Sequence, residues 1–151
     1  MDNQATIQKL TQELFEKLGY KIVVEITPEG EGFYVHVKTD EDASMLIGRH
    51  ARMLSSLQRV LSAMLYKHMG DKVNVLLDIN DYRAGQKERL QNIAQNVAQR
   101  VIDEDRSARL SSFSPYERRI IHEFVSENYS TLESHSEGEG DDRVLVIQKK
   151  A

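Results

Sequence analysis

The stretch SMLIGRHARMLSSLQRVLSAMLYKHM, Ser44 to Met69, decides how the chain is read, because it joins a helix core pattern to an exposed basic loop. Leu54, Leu57, Leu61, Met64 and Leu65 recur at helical spacing, so a helix beginning near Ala51 should bury one face. Just before it, Gly48-Arg49-His50-Ala51 separates the apolar turn Met45-Leu46-Ile47 from that helix. A glycine and two potentially cationic side chains thus stand at a helix N-terminus, where backbone N–H groups lacking intrahelical partners point outward and favour anions. The loop reads as a place to hold phosphate.

Working outward, Gln4 to Leu18 should form a first helix with Ile7, Leu10, Leu14 and Leu18 on one face and Gly19 as its C-cap. A hairpin follows. Lys21 to Thr27 is rich in β-branched residues, Pro28 to Gly32 supplies turn chemistry, and Phe33 to Val37 alternates as a half-buried strand does. Asp40-Glu41-Asp42 caps the turn into the glycine loop, Gly70-Asp71 breaks the long helix, and Lys72 to Asn80 reads as a buried strand. The expected order is α-β-β-α-α-β.

Beyond it, Tyr82 to Asp105 should be a second long helix, with Leu90, Ile93, Ala94, Val97, Ala98, Val101 and Ile102 as its buried seam. The polar first half of that helix places a domain boundary within 81–87, giving domains at 1–80 and 81–151. Arg109 to Phe113 is a short strand candidate. Ser114-Pro115-Tyr116-Glu117 is a full helix-start signal, in which serine caps, proline suits the first position and glutamate reaches back. The helix should continue to about Glu127, and strands at Tyr129 to His135 and Val144 to Gln148 should flank an acidic turn.

The 151 residues, 40% of them hydrophobic, suffice for one ordinary domain or two small ones. No run of about 18 apolar residues is present to span a bilayer, and the opening MDNQATIQKL lacks signal-peptide regions, so a cytoplasmic protein without membrane insertion is expected. The absence of cysteine removes disulfides, thiolate metal sites and cysteine nucleophiles together, in keeping with a reducing compartment. A net charge of −4 by itself argues against a nucleic-acid partner. Its distribution argues the other way: Arg49, Arg52, Arg59, Lys67 and Lys72 meet only Asp71 locally, while Glu133, Glu137, Glu139, Asp141 and Asp142 crowd towards the C-terminus.

A second constellation lies in YERRIIHEFV. Arg118 and His122 stand at i and i+4, so a guanidinium and an imidazole share one helix face and can approach a single phosphate or a stacked base. The same spacing also suits an arginine salt-bridged to an acid and a histidine packed on a strand. His135, beside the acidic turn Glu137 to Asp142, matches no metal-loop spacing and reads as part of a solvated hairpin.

With the order α-β-β-α-α-β and a glycine-basic-basic-small tetrapeptide between the middle helices, the first part resembles a bacterial-type (type II) KH domain. That resemblance implies an α+β fold and a GxxG loop that grips the sugar-phosphate backbone of unpaired nucleotides, while an apolar groove beside Ile47 takes their bases. The matching residues are Gly48, Arg49, His50 and Ala51, and the RNA-binding loop is expected to include the flanking Ile47 and Arg52. Ala51 stands where the family has its second glycine, a substitution that suits a residue already in the helix.

From about Arg83 to Lys149, Arg-x-x-x-His after a Ser-Pro-Tyr-Glu start, and before Ser134-His135-Ser136-Glu137-Gly138-Glu139 and a last strand, resembles the R-three-H domain. This is a small α/β module with a three-stranded sheet that binds single-stranded nucleic acid. The resemblance implies roles for Arg118, Arg119 and His122, with Ser134 or His135 helping to shape their face. A KH domain followed by an R-three-H domain is the arrangement of the bacterial Jag family. Many members add an N-terminal Jag domain with a linker, and the expectation here is a member without it.

Membership would imply a non-enzymatic protein that binds single-stranded RNA, or single-stranded DNA, without cofactor or metal. It would also imply a homodimer or a heterodimer with a small stand-alone KH protein, and a post-transcriptional role linked to cell elongation or division. A competing reading is an interaction scaffold whose KH part mainly mediates dimerisation. An enzyme is the weakest reading, since no P-loop, nucleophile-base pair or metal-ligand set is evident.

Overall fold

The computed structural model describes residues 3–151, so Met1 and Asp2 of the expected first domain lie outside the described residues. The chain divides into two compact units, 1–83 and 84–151.

In the first unit, α1 (Asn3–Lys17) buries Ile7, Leu10 and Phe15. Thr11 is fully buried and returns its hydroxyl to the Ile7 carbonyl at 2.7 Å, so that hydroxyl stays paired within an apolar face. Leu18, expected on the buried face, is 47% exposed. The helix stops at Lys17, one residue before it, and the Tyr20 N–H closes the end on the carbonyl of the fully buried Phe15.

The hairpin is tighter than expected. Strands β1 (Val23–Glu29) and β2 (Gly32–Lys38) pair antiparallel down to Glu29 opposite Gly32, leaving a two-residue turn. Pro28 therefore lies within β1, opposite Phe33, which an outer strand tolerates because its outward side needs no N–H donor. Then come α2 (Ser44–Ile47), a tight turn at Arg49–Ala51, α3 (Arg52–Met69) and β3 (Val75–Ile79). β3 runs parallel to β2, as strands joined through a helical crossover can, and the sheet order is β1-β2-β3. The order α-β-β-α-α-β is the expected one.

The buried stripe of α3 is Leu54, Leu57, Leu61 and Leu65, with Met64 only partly covered. It packs with Val35, Val37, Leu77 and Ile79 of the sheet and with α1 in a single cluster. At about 1.5–3 kcal/mol for each large aliphatic side chain removed from water, these leucines fix α3 against the sheet. Asp78 is a carboxylate with almost no exposure. It accepts hydrogen bonds from the Tyr34 hydroxyl, from the Ile79 N–H at 2.9 Å and from the Arg83 N–H at 3.2 Å, which offset its desolvation. Gln58 on α3 accepts from the Leu77 N–H at 2.9 Å and from Arg83 Nη2 at 3.2 Å, while Arg83 Nε donates to the Leu77 carbonyl at 3.0 Å.

The second unit contains most of α4 (Tyr82–Glu104), then β4 (Ala108–Leu110), α5 (Pro115–Asn128), β5 (Leu132–Glu137) and β6 (Val144–Lys149). Its sheet is antiparallel in the order β4-β6-β5. The expected seam on α4 is buried at Leu90, Ala94, Val97, Ala98 and Val101, with Ile93 and Ile102 at its margin. Leu145 and Ile147 of β6 and Ile120, Ile121 and Val125 of α5 complete this core. β4 ends before the expected Phe113, where Ser112 turns to φ 66°. β5 begins at Leu132 rather than Tyr129 because Tyr129 still belongs to the helix end, its N–H bonded to the Val125 carbonyl.

The start of α5 is the expected capping box. Ser114 Oγ accepts from the Glu117 N–H at 3.2 Å, and Glu117 Oε1 accepts from the Ser114 N–H at 2.8 Å. Glu117 is itself buried, and its other oxygen accepts from Gln86 Nε2 at 2.8 Å with Arg89 at 3.9 Å. A cap of this kind contributes about 1 kcal/mol and fixes where the helix begins. Among the described residues, no helix is long and apolar enough to cross a membrane.

Candidate nucleic-acid interface

The glycine loop is shaped by its backbone. Asp42 accepts from both the N–H and the hydroxyl of Ser44, at 3.0 and 2.7 Å, and so starts α2 while these bonds hold its carboxyl below the ordinary range. α2 ends when Gly48 adopts φ 73°, ψ 174°, a conformation essentially reserved for glycine. A Cβ there would also lie 3.0 Å from both the backbone N and the Cβ of Met53. His50 (φ 55°) and Ala51 (φ 59°) then both take the left-handed region. Ala51 is thus not yet in the helix, contrary to the expectation that made alanine suit this position. It is left-handed, where an L-residue is strained, and its methyl packs at the margin of the first core.

The backbone N–H groups are less available than a helix N-terminus implies. The Gly48 N–H bonds to the Ser44 carbonyl, that of Ala51 to the Gly48 carbonyl, and that of Arg52 to the Arg49 carbonyl. Charge is left to the side chains. Arg49 and Arg52 are exposed, and among the described residues neither has a carboxylate within salt-bridge reach. Ile47 is half-buried and packs on the core, so it supports the loop. The open apolar wall beside Gly48 comes from Met45 and Met53, 76% and 45% exposed. They line a cleft of about 550 Å³ together with Ser44, Arg52 and Ser56. Sequence reading missed both methionines. Their signal was that they flank the leucine pattern without joining it.

In the second unit Arg118, Arg119 and His122 all lie on α5, with Arg119 and His122 exposed and Arg118 half-buried. Arg118 Nη1 donates to the Phe113 carbonyl at 2.7 Å, so the arginine braces the loop before its own helix instead of meeting an acid. His122 Nδ1 pairs with Ser134 Oγ on β5. Both side chains therefore have structural partners; Arg118 keeps further N–H donors, and His122 keeps a second ring nitrogen, Nε2, whose role depends on the tautomer.

His135 is separated from this group. Ser134 turns towards α5, and its strand neighbour His135 falls on the opposite face of the sheet, as strand alternation requires. There His135 Nε2 meets Glu137 Oε1 at 2.9 Å, and Arg109 Nη1 reaches Glu137 Oε2 at 3.1 Å. The hydrogen bond with His135, and then that with Arg109, hold the Glu137 carboxyl below its ordinary range.

Residues 88–149 match the R-three-H domain family. Over 129 residues the chain is 36% identical to the RNA-binding protein KhpB of Clostridium symbiosum, covering 85% of this chain and 57% of that protein. It is 31% identical over 141 residues to the RNA-binding protein KhpB of Bacillus subtilis, covering 92% and 67%. Against the protein of the same name in Streptococcus pneumoniae the identity is 35% over 102 residues, 68% of this chain and 31% of the relative. The chain thus spans between about a third and two thirds of the length of these relatives. With an R-three-H domain in its second unit and the two longer alignments extending through most of the first, the chain belongs to the Jag (KhpB) family.

Proposed function

We propose that this chain is a non-enzymatic protein that binds single-stranded RNA through two separate sites. One is the loop Ile47 to Arg52 in a KH-type first domain; the other is the α5 face of Arg118, Arg119 and His122. The observation that carries the reading is the loop's backbone. Gly48, His50 and Ala51 all hold positive φ and thereby present Arg49 and Arg52, which no carboxylate among the described residues neutralises, at the end of α2. The relatives' names as RNA-binding proteins support it. Arginine contacts to phosphate fix position and carry little sequence information. Base preference then falls to the Met45–Met53 cleft, and two weak sites on one strand add through effective concentration. Single-stranded DNA is the nearest competing ligand. A cytoplasmic, post-transcriptional role linked to cell elongation or division, and a homodimer or a heterodimer with a small stand-alone KH protein, belong to the same proposal.

The test is fluorescence anisotropy with labelled single-stranded RNA, single-stranded DNA and duplex over a salt series. It compares the native chain with Arg49→Ala/Arg52→Ala and with Arg119→Ala/His122→Ala. Single-strand binding loses about 0.7 of log-log salt slope per phosphate contact removed, so the double arginine variant should lower the slope by about 1.4. Failure of the native chain to bind, or variants that match it in affinity and slope, would overturn the assignment. An interaction scaffold would then be the better reading, favoured by Met53 and Val60, seven residues apart on α3 and each nearly half exposed.

A further inference from the structure

We infer that Ser134 is a positioning residue for the second site: its hydroxyl donates to His122 Nδ1 and holds the neutral imidazole in the tautomer that carries its proton on Nε2. The inference rests on the proposed function, since it concerns how His122 meets a phosphate. A neutral imidazole has one donor nitrogen and one acceptor nitrogen, and the partner of one decides what the other can do. Here Nδ1 is taken by Ser134 Oγ, while the side chain is exposed and Nε2 has no hydrogen-bond partner among the described residues.

Two arrangements satisfy that pair. If Nδ1 carried the proton and donated to the serine oxygen, Nε2 would face solvent as a lone pair, which repels a phosphate oxygen. If the serine donates, Nε2–H faces out as a donor, and a phosphate, which only accepts, can be bound by the uncharged ring. A ligand of pure acceptor character selects the second arrangement. Ser134 is fixed for this task by the β5–β6 ladder opposite Ile147, whose side chain is fully buried, so the hydroxyl is held by backbone pairing and not by a mobile loop. His122 is held from the other side by α5, whose neighbouring Ile121 is also fully buried.

The experiment uses the full chain with ¹⁵N-labelled histidine, at a pH of about 8.5 where an ordinary imidazole is neutral. Ring ¹⁵N shifts of His122 are recorded without ligand for the native chain, Ser134→Ala and Ser134→Thr, and single-stranded RNA affinity is measured for the same three. The expected native spectrum shows an acceptor-type Nδ1 and a protonated Nε2. Ser134→Ala should move the ring shifts from those of a single hydrogen-bonded tautomer towards the tautomer mixture of a free neutral histidine and bind RNA about three- to tenfold more weakly, and Ser134→Thr, which restores a hydroxyl, should recover both. A native ring protonated on Nδ1, or shifts unchanged in Ser134→Ala, would overturn the assignment whatever RNA does. If the shifts come out as expected but the native chain binds no RNA, the serine–histidine pairing stands while its role at a phosphate, and the functional reading beneath it, fall.

Discussion

Gly48→Ala should destabilise the first unit by about 2 kcal/mol, and the figure can be built from the loop itself. Placing an L-residue in the region that Gly48 occupies, φ 73° and ψ 174°, costs about 1–3 kcal/mol. The new methyl would lie 3.0 Å from the Met53 N and Cβ, and the first of these is backbone at the start of α3. Something anchored by Leu54 must move, which adds roughly 1 kcal/mol of overpacking. Reduced freedom of the unfolded chain offsets about 0.4–1 kcal/mol. For a unit of this size each kcal/mol lowers the midpoint by about 4–8 °C, so a fall of roughly 8–16 °C is expected. Circular dichroism melting of the full chain reads the midpoint, and amide exchange at Leu57 and Leu61 assigns the loss to the first unit. A fall below about 2 °C would refute the reasoning, because the loop would then accept a side chain without strain. The outcome also decides how binding data are read: any Gly48 substitution confounds lost contact with lost fold, and arginine removal does not.

Burial, reinforced by the hydrogen bond to Asp78, raises the Tyr34 phenol above its ordinary value, so the folded state favours the neutral form. That stability is complete below about pH 10, where an unfolded tyrosine ionises, and is lost as pH rises beyond it. Urea titrations at pH 8 and above 10 should show the native first unit weakening. Tyr34→Phe should be weaker by about 1.5–3 kcal/mol at pH 8 with a flatter dependence; equal slopes would sink the assignment. Glu137 runs the opposite way: its carboxyl is held low by His135 first and Arg109 second, so its contribution is present above about pH 4.3 and fades as pH falls through the depressed value. His135→Ala should move the Glu137 carboxyl titration, followed by ¹³C NMR, upward towards the ordinary range, and an unmoved midpoint would show that the His135 contact in the structure is not made in solution.

Periodicity made the long elements legible. The leucines of α3, the seam of α4 and the Ser114 cap each announce themselves through burial or bonding confined to a single helix, which is the kind of information local sequence holds. Leu18 misled because a helix face says nothing about where the helix will stop, and the stop here comes one residue before it. The site divides along the same line. Arg49, Arg52, Arg119 and His122 were legible as residue types at a spacing, whereas the left-handed Ala51, the Arg118 bond to Phe113 and the Ser134 bond to His122 depend on backbone angles and on neighbours distant in sequence. The resemblance offers Ser134 or His135 as the residue that shapes the Arg118–His122 face, and strand alternation turns only Ser134 towards α5.

The bonds that Gln58 and Arg83 make to Leu77 have a consequence for how copies of this protein meet. β3 is an outer strand, and outer strands template the pairing of further chains through unmatched N–H and C=O groups. At Leu77 both groups are already taken by side chains from α3 and from the start of α4. That margin of the sheet is closed to an incoming strand at its midpoint. β1, whose Pro28 lacks an N–H, is blunted on the other margin, so accidental ribbon-like association finds neither side of the first sheet open along its full length.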